Sequence, residues 1–217
     1  MADMVDAAAL KIKLDENPNL FVVAYVNTSA EVKALTDICC TSANAVNVVK
    51  SIPEDKEILF VPDKNLGSYV SDKANRKMEL WQGCCPIHND LKLSDVVKAK
   101  ELHPNAVVLA HPECNKDVLE QADYIDGTVS LIKYAKESSA KDFIVVTEAG
   151  VLYQLETQCP DKNFYMVKEN LHCADMKGIS LAKVKLALET LEPKVIVPKE
   201  IREKALASLT KMLDIKR

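Results

Sequence analysis

Residues 20–66 of this chain lie without a gap on residues 106–152, at a constant offset of 86. Ala24-Tyr25-Val26-Asn27 falls on Ala110-His111-Pro112-Glu113, Val32 on Val118, Asp37 on Asp123, Ser42 on Thr128 and Val46 on Ile132. Near the end of the unit the offset rises to 88. There Cys85 meets Cys173, and Leu93-Ser94-Asp95-Val96 meets Leu181-Ala182-Lys183-Val184. A period of this length belongs to a small domain and not to a solenoid turn. Whatever the first copy folds into must be built a second time, which favours two small cores over one large one.

Within each copy, apolar runs alternate with amphipathic stretches. Residues 20–26 are almost wholly apolar, as a parallel strand covered on both faces requires. Asn27-Thr28-Ser29 supplies turn and cap chemistry ahead of a short helix at 30–35. Further strands are expected at 38–40, 58–61 and 78–81, with a helix at 45–50. The second copy repeats the order: a helix at 93–102, a strand at 106–110, a helical turn at 116–120 and the short run Tyr124-Ile125. A helix at 131–137, a strand at 143–146 and an extended run at 164–167 then lead to Cys173. A third unit opens with a helix at 181–191 and a strand at Val195-Ile196-Val197. It ends on a helix that puts Ile201, Ala205, Leu209, Met212 and Leu213 broadly on one side.

The expected fold class is therefore α/β, as repeated small α/β domains with parallel sheets. A remnant helix at 1–19 leads into a complete unit at 20–92, a second unit occupies 93–178, and a C-terminal segment at 179–217 has an apolar face that needs a partner. Residues 7–19 align with 93–105, so a third counterpart of Cys85 and Cys173 is expected just ahead of Met1.

Charge and cysteine usage remove several classes of function. A net charge of -4, with no Lys/Arg cluster interleaved with aromatics, argues against a nucleic-acid surface. No apolar run is long enough to cross a membrane, and residues 1–19 carry no signal-like segment, so a cytoplasmic location is expected. The seven cysteines include no CxxC pair, which weakens zinc-ribbon and ferredoxin readings. Cys39, Cys40 and Cys114 adjoin strands and read as buried structural residues, and Cys159 reads as a loop residue. No GxGxxG follows a strand, which disfavours a dehydrogenase.

Parallel sheets gather their functional groups outside the C-terminal strand ends. Tyr25 and Asn27 end one strand, and His111 and Glu113 end its repeat partner. Ser42 and Thr128 stand ahead of equivalent helices, where a hydroxyl can cap the helix or meet a carboxylate or phosphate. Cys85 and Cys173 occupy comparable strand-to-helix loops, with His88 just beyond the first. Polar groups at matching places in both copies suggest one central site for a small molecule.

These residues resemble the quinolinate synthase family. The matching stretches are Tyr25-Val26-Asn27-Thr28-Ser29-Ala30, Thr41-Ser42-Ala43-Asn44-Ala45 and Phe60-Val61-Pro62-Asp63-Lys64-Asn65-Leu66-Gly67. Beyond them come Trp81-Gln82-Gly83 with Cys85 and His88, His111-Pro112-Glu113-Cys114, Thr147-Glu148 with Gly150, and Cys173 with Met176-Lys177. The resemblance spans essentially the whole chain. It implies three similar α/β domains around a pseudo-threefold axis, of which two would be present here. A [4Fe-4S] cluster would sit at the centre, with one cysteine from each domain and one iron left open to substrate as a Lewis acid. Cys85 and Cys173 match two of those ligands. The implied reaction condenses iminoaspartate with dihydroxyacetone phosphate to quinolinate, with loss of phosphate and water.

By the same resemblance, Glu113 would move protons and His111 would donate to a substrate carboxylate or phosphate. Tyr25 and Asn27 would hold a carboxylate, Ser42 and Thr128 an anionic group, and His88 would touch substrate. Gly127 stands where the family commonly has Ser, and Tyr153 where it commonly has His. A homo-oligomer or a separately encoded N-terminal domain is expected as partner, and the C-terminal segment would pack on that first domain. A partial subunit without turnover, or a module that binds a small molecule or metal through Tyr25, Asn27, His111 and Glu113, are the alternatives.

Overall fold

The structure, a computed structural model, describes residues 1–215. Helix α1 (Ala7–Glu16) is capped by Asp6, whose side chain accepts the Ala9 N–H at 3.0 Å. The first unit then runs β1 (Leu20–Tyr25), α2 (Ala30–Ala34), β2 (Ile38–Cys40), α3 (Ala45–Lys50), β3 (Glu57–Val61), α4 (Lys64–Ala74), β4 (Glu79–Leu80) and α5 (Pro86–Asn89). The second runs α6 (Leu93–Leu102), β5 (Val107–Ala110), α7 (Lys116–Leu119), β6 (Tyr124–Ile125), α8 (Thr128–Glu137), β7 (Asp142–Val146), α9 (Val151–Gln158), β8 (Asn163–Met166) and α10 (Ala174–Lys177). Two further helices follow, α11 (Leu181–Thr190) and α12 (Lys199–Leu213). None of the described helices is long and apolar enough to cross a membrane.

Each unit carries a four-stranded parallel sheet, ordered β2-β1-β3-β4 in the first and β6-β5-β7-β8 in the second. The two orders are the same order, so the repeat is a repeat of topology. The central strands are apolar on both faces: Val22, Val23, Ala24, Leu59, Phe60 and Val61 are buried in one sheet, and Val108, Leu109, Ala110, Ile144, Val145 and Val146 in the other. One polar contact is copied as well. The Val22 N–H donates to Asp37 Oδ2 at 2.7 Å, and the Val108 N–H donates to Asp123 Oδ2 at 2.8 Å.

Helix α4 is longer than any element the sequence suggests there. Its first turn is capped by Asp63, whose Oδ1 accepts the Leu66 N–H at 2.8 Å, and Leu66 and Val70 bury one face four residues apart. Gly67 sits inside it, against helix propensity, because α4 crosses the sheet closely there. A Cβ at Gly67 would lie 2.7 Å from Leu80 Cδ2 and 2.9 Å from Phe60 Cδ1. Helix α9 is also absent from the sequence-level expectation, and α8 begins at Thr128 and not at residue 131.

The C-terminal segment departs most from expectation. No strand forms at 195–197; Val195 and Ile196 are 85% and 76% exposed. Their β-branched side chains satisfy local preference, yet a strand also needs a neighbour to complete its hydrogen bonds. Helix α12 packs on α2 and β2, burying Ala205, Ser208 and Met212. The Ser208 hydroxyl donates to the Lys33 carbonyl at 3.0 Å, and Lys211 Nζ donates to the Asp37 carbonyl at 2.9 Å. A five-residue α2 that buries only Val32 leaves this edge of the sheet open, and α12 covers it. The face expected to meet a further, N-terminal domain is thus occupied by the unit at 20–92 instead, except at Leu213, which is exposed. Helix α11 buries nothing, whereas its repeat counterpart α6 buries Val96 and Ala99.

Candidate functional site

Strand ends from both units meet at a buried carboxylate. Glu113, in the turn after β5, is 3% exposed, and its Oε2 lies 2.8 Å from Nδ1 of His88 in α5. The same His88 nitrogen is 3.2 Å from Cys85 Sγ, and its Nε2 is 2.9 Å from Thr147 Oγ1 beyond β7. His111 stacks on His88 with ring centroids 4.7 Å apart and places Nδ1 3.5 Å from the same Glu113 oxygen. Asn65, in the first turn of α4, donates to the Glu113 carbonyl at 3.1 Å and to Asn89 Oδ1 at 3.2 Å. It thereby ties the turn to both units. Tyr25 is buried at the end of β1.

Burial works against every charge here, and the neighbours decide which charges survive. At Glu113 burial alone would favour the acid, but the His88 hydrogen bond and the charges of His111 and His88 hold the carboxyl below its usual range. At His88 burial opposes the imidazolium, yet hydrogen bonds to Cys85 and Glu113 outweigh it and lift its pKa to about 9. His111 has no such support. Burial, reinforced by the charge of His88, pulls it down to about 4 against the attraction of Glu113. Burial and then Glu113 push the Tyr25 phenol well up. At neutral pH the group therefore holds an ionised Glu113, a cationic His88, a neutral His111 and a protonated Tyr25. Oε1 of Glu113 is buried and completes no hydrogen bond.

The two cysteine loops are built alike. Cys85 precedes α5, and its N–H donates at 2.7 Å to Asp63 Oδ2, the carboxylate that also caps α4. Cys173 precedes α10, and its N–H donates at 3.2 Å to Glu148 Oε1. Glu148 Oε2 accepts the Gly150 N–H at 2.6 Å, and Lys177 Nζ lies 3.3 Å from Oε1. Burial raises the Asp63 pKa to about 6 in spite of its backbone hydrogen bonds. For Glu148 the Gly150 and Cys173 N–H groups and Lys177 overcome burial and hold the carboxyl low. Each carboxylate follows the central strand β3 or β7 and fixes the cysteine backbone from one side.

Asp63, Thr147 and Glu148 also stand just beyond strand ends and touch the cysteine loops or His88, yet they are not among the candidates chosen from the sequence. The repeat carries a signal for two of them, since Asp63 and Glu148 stand 85 positions apart (148 minus 63), within one residue of the repeat offset.

Other candidates are placed at the edges of this group. Ser42 meets the second unit directly: a Cβ on buried Gly127 would lie 2.7 Å from Ser42 Oγ. Asn44 and Gly127, and not Ser42 and Thr128, occupy the N-cap positions of α3 and α8. Thr128 is the exposed first residue of α8, and Asn27 is exposed in the bend beyond β1. Cys39, Cys40, Cys114 and Cys159 are buried in the cores. His103 stacks on Tyr165 at 3.5 Å, away from the group.

Cys85 and Cys173 are both part-exposed, on loops whose backbones are already anchored. That suits thiolate ligands of an iron–sulfur cluster, and the pair would supply two of its corners. Among the described residues no third cysteine stands on an equivalent loop.

Known proteins bear on the same residues. The family model described as "Quinolinate synthetase A protein" matches residues 1–214. A quinolinate synthase of Desulforudis audaxviator is 46% identical over 213 residues, which cover 98% of this chain and 70% of that protein. A quinolinate synthase of Methanosarcina barkeri is 47% identical over 216 residues, covering 100% and 71%. One from a Geobacter species is 48% identical over 217 residues, again covering 100% and 71%. The match runs through the cysteine loops, the His88–Glu113 pair and both sheets, and this chain belongs to the quinolinate synthase family.

Proposed function

We propose that the chain supplies two units of a quinolinate-forming centre, in which iminoaspartate condenses with dihydroxyacetone phosphate and phosphate and water leave. The observation that carries this reading is the buried His88–Glu113 pair, 2.8 Å apart beside Cys85. A [4Fe-4S] cluster held by Cys85 and Cys173 would supply a Lewis-acidic iron open to substrate.

The chain's own residues account for the proton movements. An ionised Glu113 accepts a proton as the condensed substrate tautomerises, and a cationic His88 delivers one to a departing oxygen. Acid and base thus sit in one hydrogen bond, with charge states set by each other. His111 Nδ1 accepts the Glu113 N–H at 3.4 Å, which leaves its proton on Nε2 as a neutral donor to a substrate carboxylate. Tyr25, held protonated, donates in the same way, with Asn27 beyond it. Ser42, which meets Gly127 ahead of α8, and Thr128, the first residue of that helix, would meet the phosphate.

Iron and sulfide per chain after anaerobic reconstitution test the cofactor, with Cys85→Ala and Cys173→Ala as controls. Specific iron in the parent chain, lost in both variants, is the expected result; iron that persists in both would overturn the assignment. Glu113→Gln is expected to keep the cluster and lose quinolinate formation.

A second unit-level reading rests on α11. The matched relatives are longer than this chain, and α11 lacks the buried face of its counterpart α6. We infer that a further α/β unit covers α11 and contributes the third cysteine. Mixing this chain with the unmatched part of a relative is expected to raise its iron content. If the two do not associate, the reading fails.

A further inference from the structure

We propose that Cys85, His88 and Glu113 form a site for one divalent cation of the zinc class, occupied in the chain that lacks an iron–sulfur cluster. One ligand atom from each residue lies within 4.8 Å of the others. The two closest separations are 2.8 Å, from Nδ1 to Glu113 Oε2, and 3.2 Å, from Nδ1 to Cys85 Sγ. With bonds of about 2.3 Å to sulfur and about 2.0 Å to nitrogen and oxygen, tetrahedral edges come to roughly 3.3 and 3.5 Å. Those two edges would open by about 0.5 and 0.3 Å, and the third, from Cys85 to Glu113 and no longer than 4.8 Å, would settle near roughly 3.5 Å to admit the ion.

Three further observations point the same way. Glu113 is 3% exposed, and its Oε1 completes no hydrogen bond, a state that native interiors rarely leave uncompensated. A cation held through both oxygens of this carboxylate would compensate it. Thr147 Oγ1, 2.9 Å from Nε2, is placed to take the Nε2 proton and leave the Nδ1 lone pair facing Cys85 and Glu113. A hydroxyl on the far nitrogen is the kind of outer contact that orients a metal-bound imidazole. Asp63 fixes the Cys85 backbone, and Cys85 and His88 stand three residues apart across the first turn of α5, so both donors leave one rigid element.

The donor set selects the ion. One thiolate, one imidazole and one carboxylate suit zinc and its neighbours, and do not suit magnesium or calcium, which favour oxygen alone. Thiolate and carboxylate together cancel a charge of two, so the buried assembly is neutral. Binding releases two protons, one from the Cys85 thiol and one from the His88–Glu113 hydrogen bond. Three protein ligands leave one position open to water or a small anion. Because Cys85 serves both, the mononuclear ion and a cluster cannot occupy the chain together.

Cobalt(II) titration of the cluster-free, metal-stripped chain tests this. One cobalt per chain is expected, with a thiolate-to-cobalt charge-transfer band that zinc displaces. Cys85→Ser should remove the band, and Cys173→Ser and Cys84→Ser should leave it unchanged. Glu113→Gln should weaken binding at least tenfold, and Thr147→Val, which touches no ligand bond, about 10- to 100-fold. A band that survives in Cys85→Ser, or an unchanged affinity in Glu113→Gln, would overturn the site. So would loss of the band in Cys173→Ser. Thr147→Val keeps the test decisive should the Glu113 variant fail to fold. The titration is independent of the quinolinate reading, which stands or falls on iron, sulfide and product.

Discussion

Replacing Gly67 by Ala sets two opposed effects against each other inside α4. An exposed helix interior gains about 1 kcal/mol when Gly becomes Ala, because the glycine backbone loses more entropy on folding. The added Cβ would stand 2.7 Å from Leu80 Cδ2, 2.9 Å from Phe60 Cδ1 and 3.3 Å from Phe60 Cγ. Ordinary carbon contacts begin at about 3.5 Å. Leu80 is part-exposed and can swing its methyl aside, but Phe60 is wholly buried in the core of the first sheet. Relief must come from the Phe60 ring or from α4 moving off the sheet by about 0.6 Å, and overpacking of that kind costs about 1–3 kcal/mol. The net expectation is a loss of up to about 2 kcal/mol, or up to about 8 °C in Tm for a chain of this size. Thermal unfolding followed by circular dichroism reads it directly. A Tm that rises by about 2 °C or more would show that helix propensity wins and that the close approach of α4 to the sheet is not what requires glycine. Since α4 carries Asn65 to the Glu113 carbonyl, the same displacement should loosen the Glu113 turn, visible as faster amide exchange there.

Three other outcomes follow from single contacts. Asp63→Ala removes the acceptor of two N–H groups, the α4 cap and the Cys85 amide, and should cost about 2 kcal/mol, after allowing for the charge it no longer buries, in a urea titration. Asp37→Asn and Asp123→Asn should each lose about 1 kcal/mol and add in the double variant, because they serve separate sheets; a coupling above about 0.5 kcal/mol would contradict that independence. His88, raised to about 9 from 6.5, contributes stability that is fully present below pH 6.5 and is lost as pH rises through 9. The cluster-free chain should therefore lose about 3 kcal/mol over that window relative to His88→Gln, and parallel pH profiles for the two would refute the pairing.

What is legible in the sequence is what local pattern and the repeat encode. Asp37 and Asp123 align at the repeat offset, and each holds the same strand amide in its own sheet. Central strands announce themselves by unbroken apolar runs. The failures have a common cause in contacts between distant residues. Gly67 hides α4 because its presence answers to Phe60 and Leu80, which the local sequence does not display. Val195 and Ile196 look like a strand because β-branched composition is local, and they form none because the hydrogen-bonding neighbour is not. The site divides in the same way. Cys85, His88, His111 and Glu113 can be chosen by type and position, but the charge each carries cannot. His88 and His111 are stacked imidazoles of nearly equal burial, and they differ because only His88 also hydrogen-bonds both Cys85 and Glu113. Those bonds join residues 3 and 25 positions apart, and the longer one crosses between the two units. Two units with the same topology therefore make one asymmetric site, because the first lends its helix α5 to the carboxylate of the second. A duplicated fold thus sets a cationic imidazole against an ionised carboxylate through that crossing, without departing from its repeat.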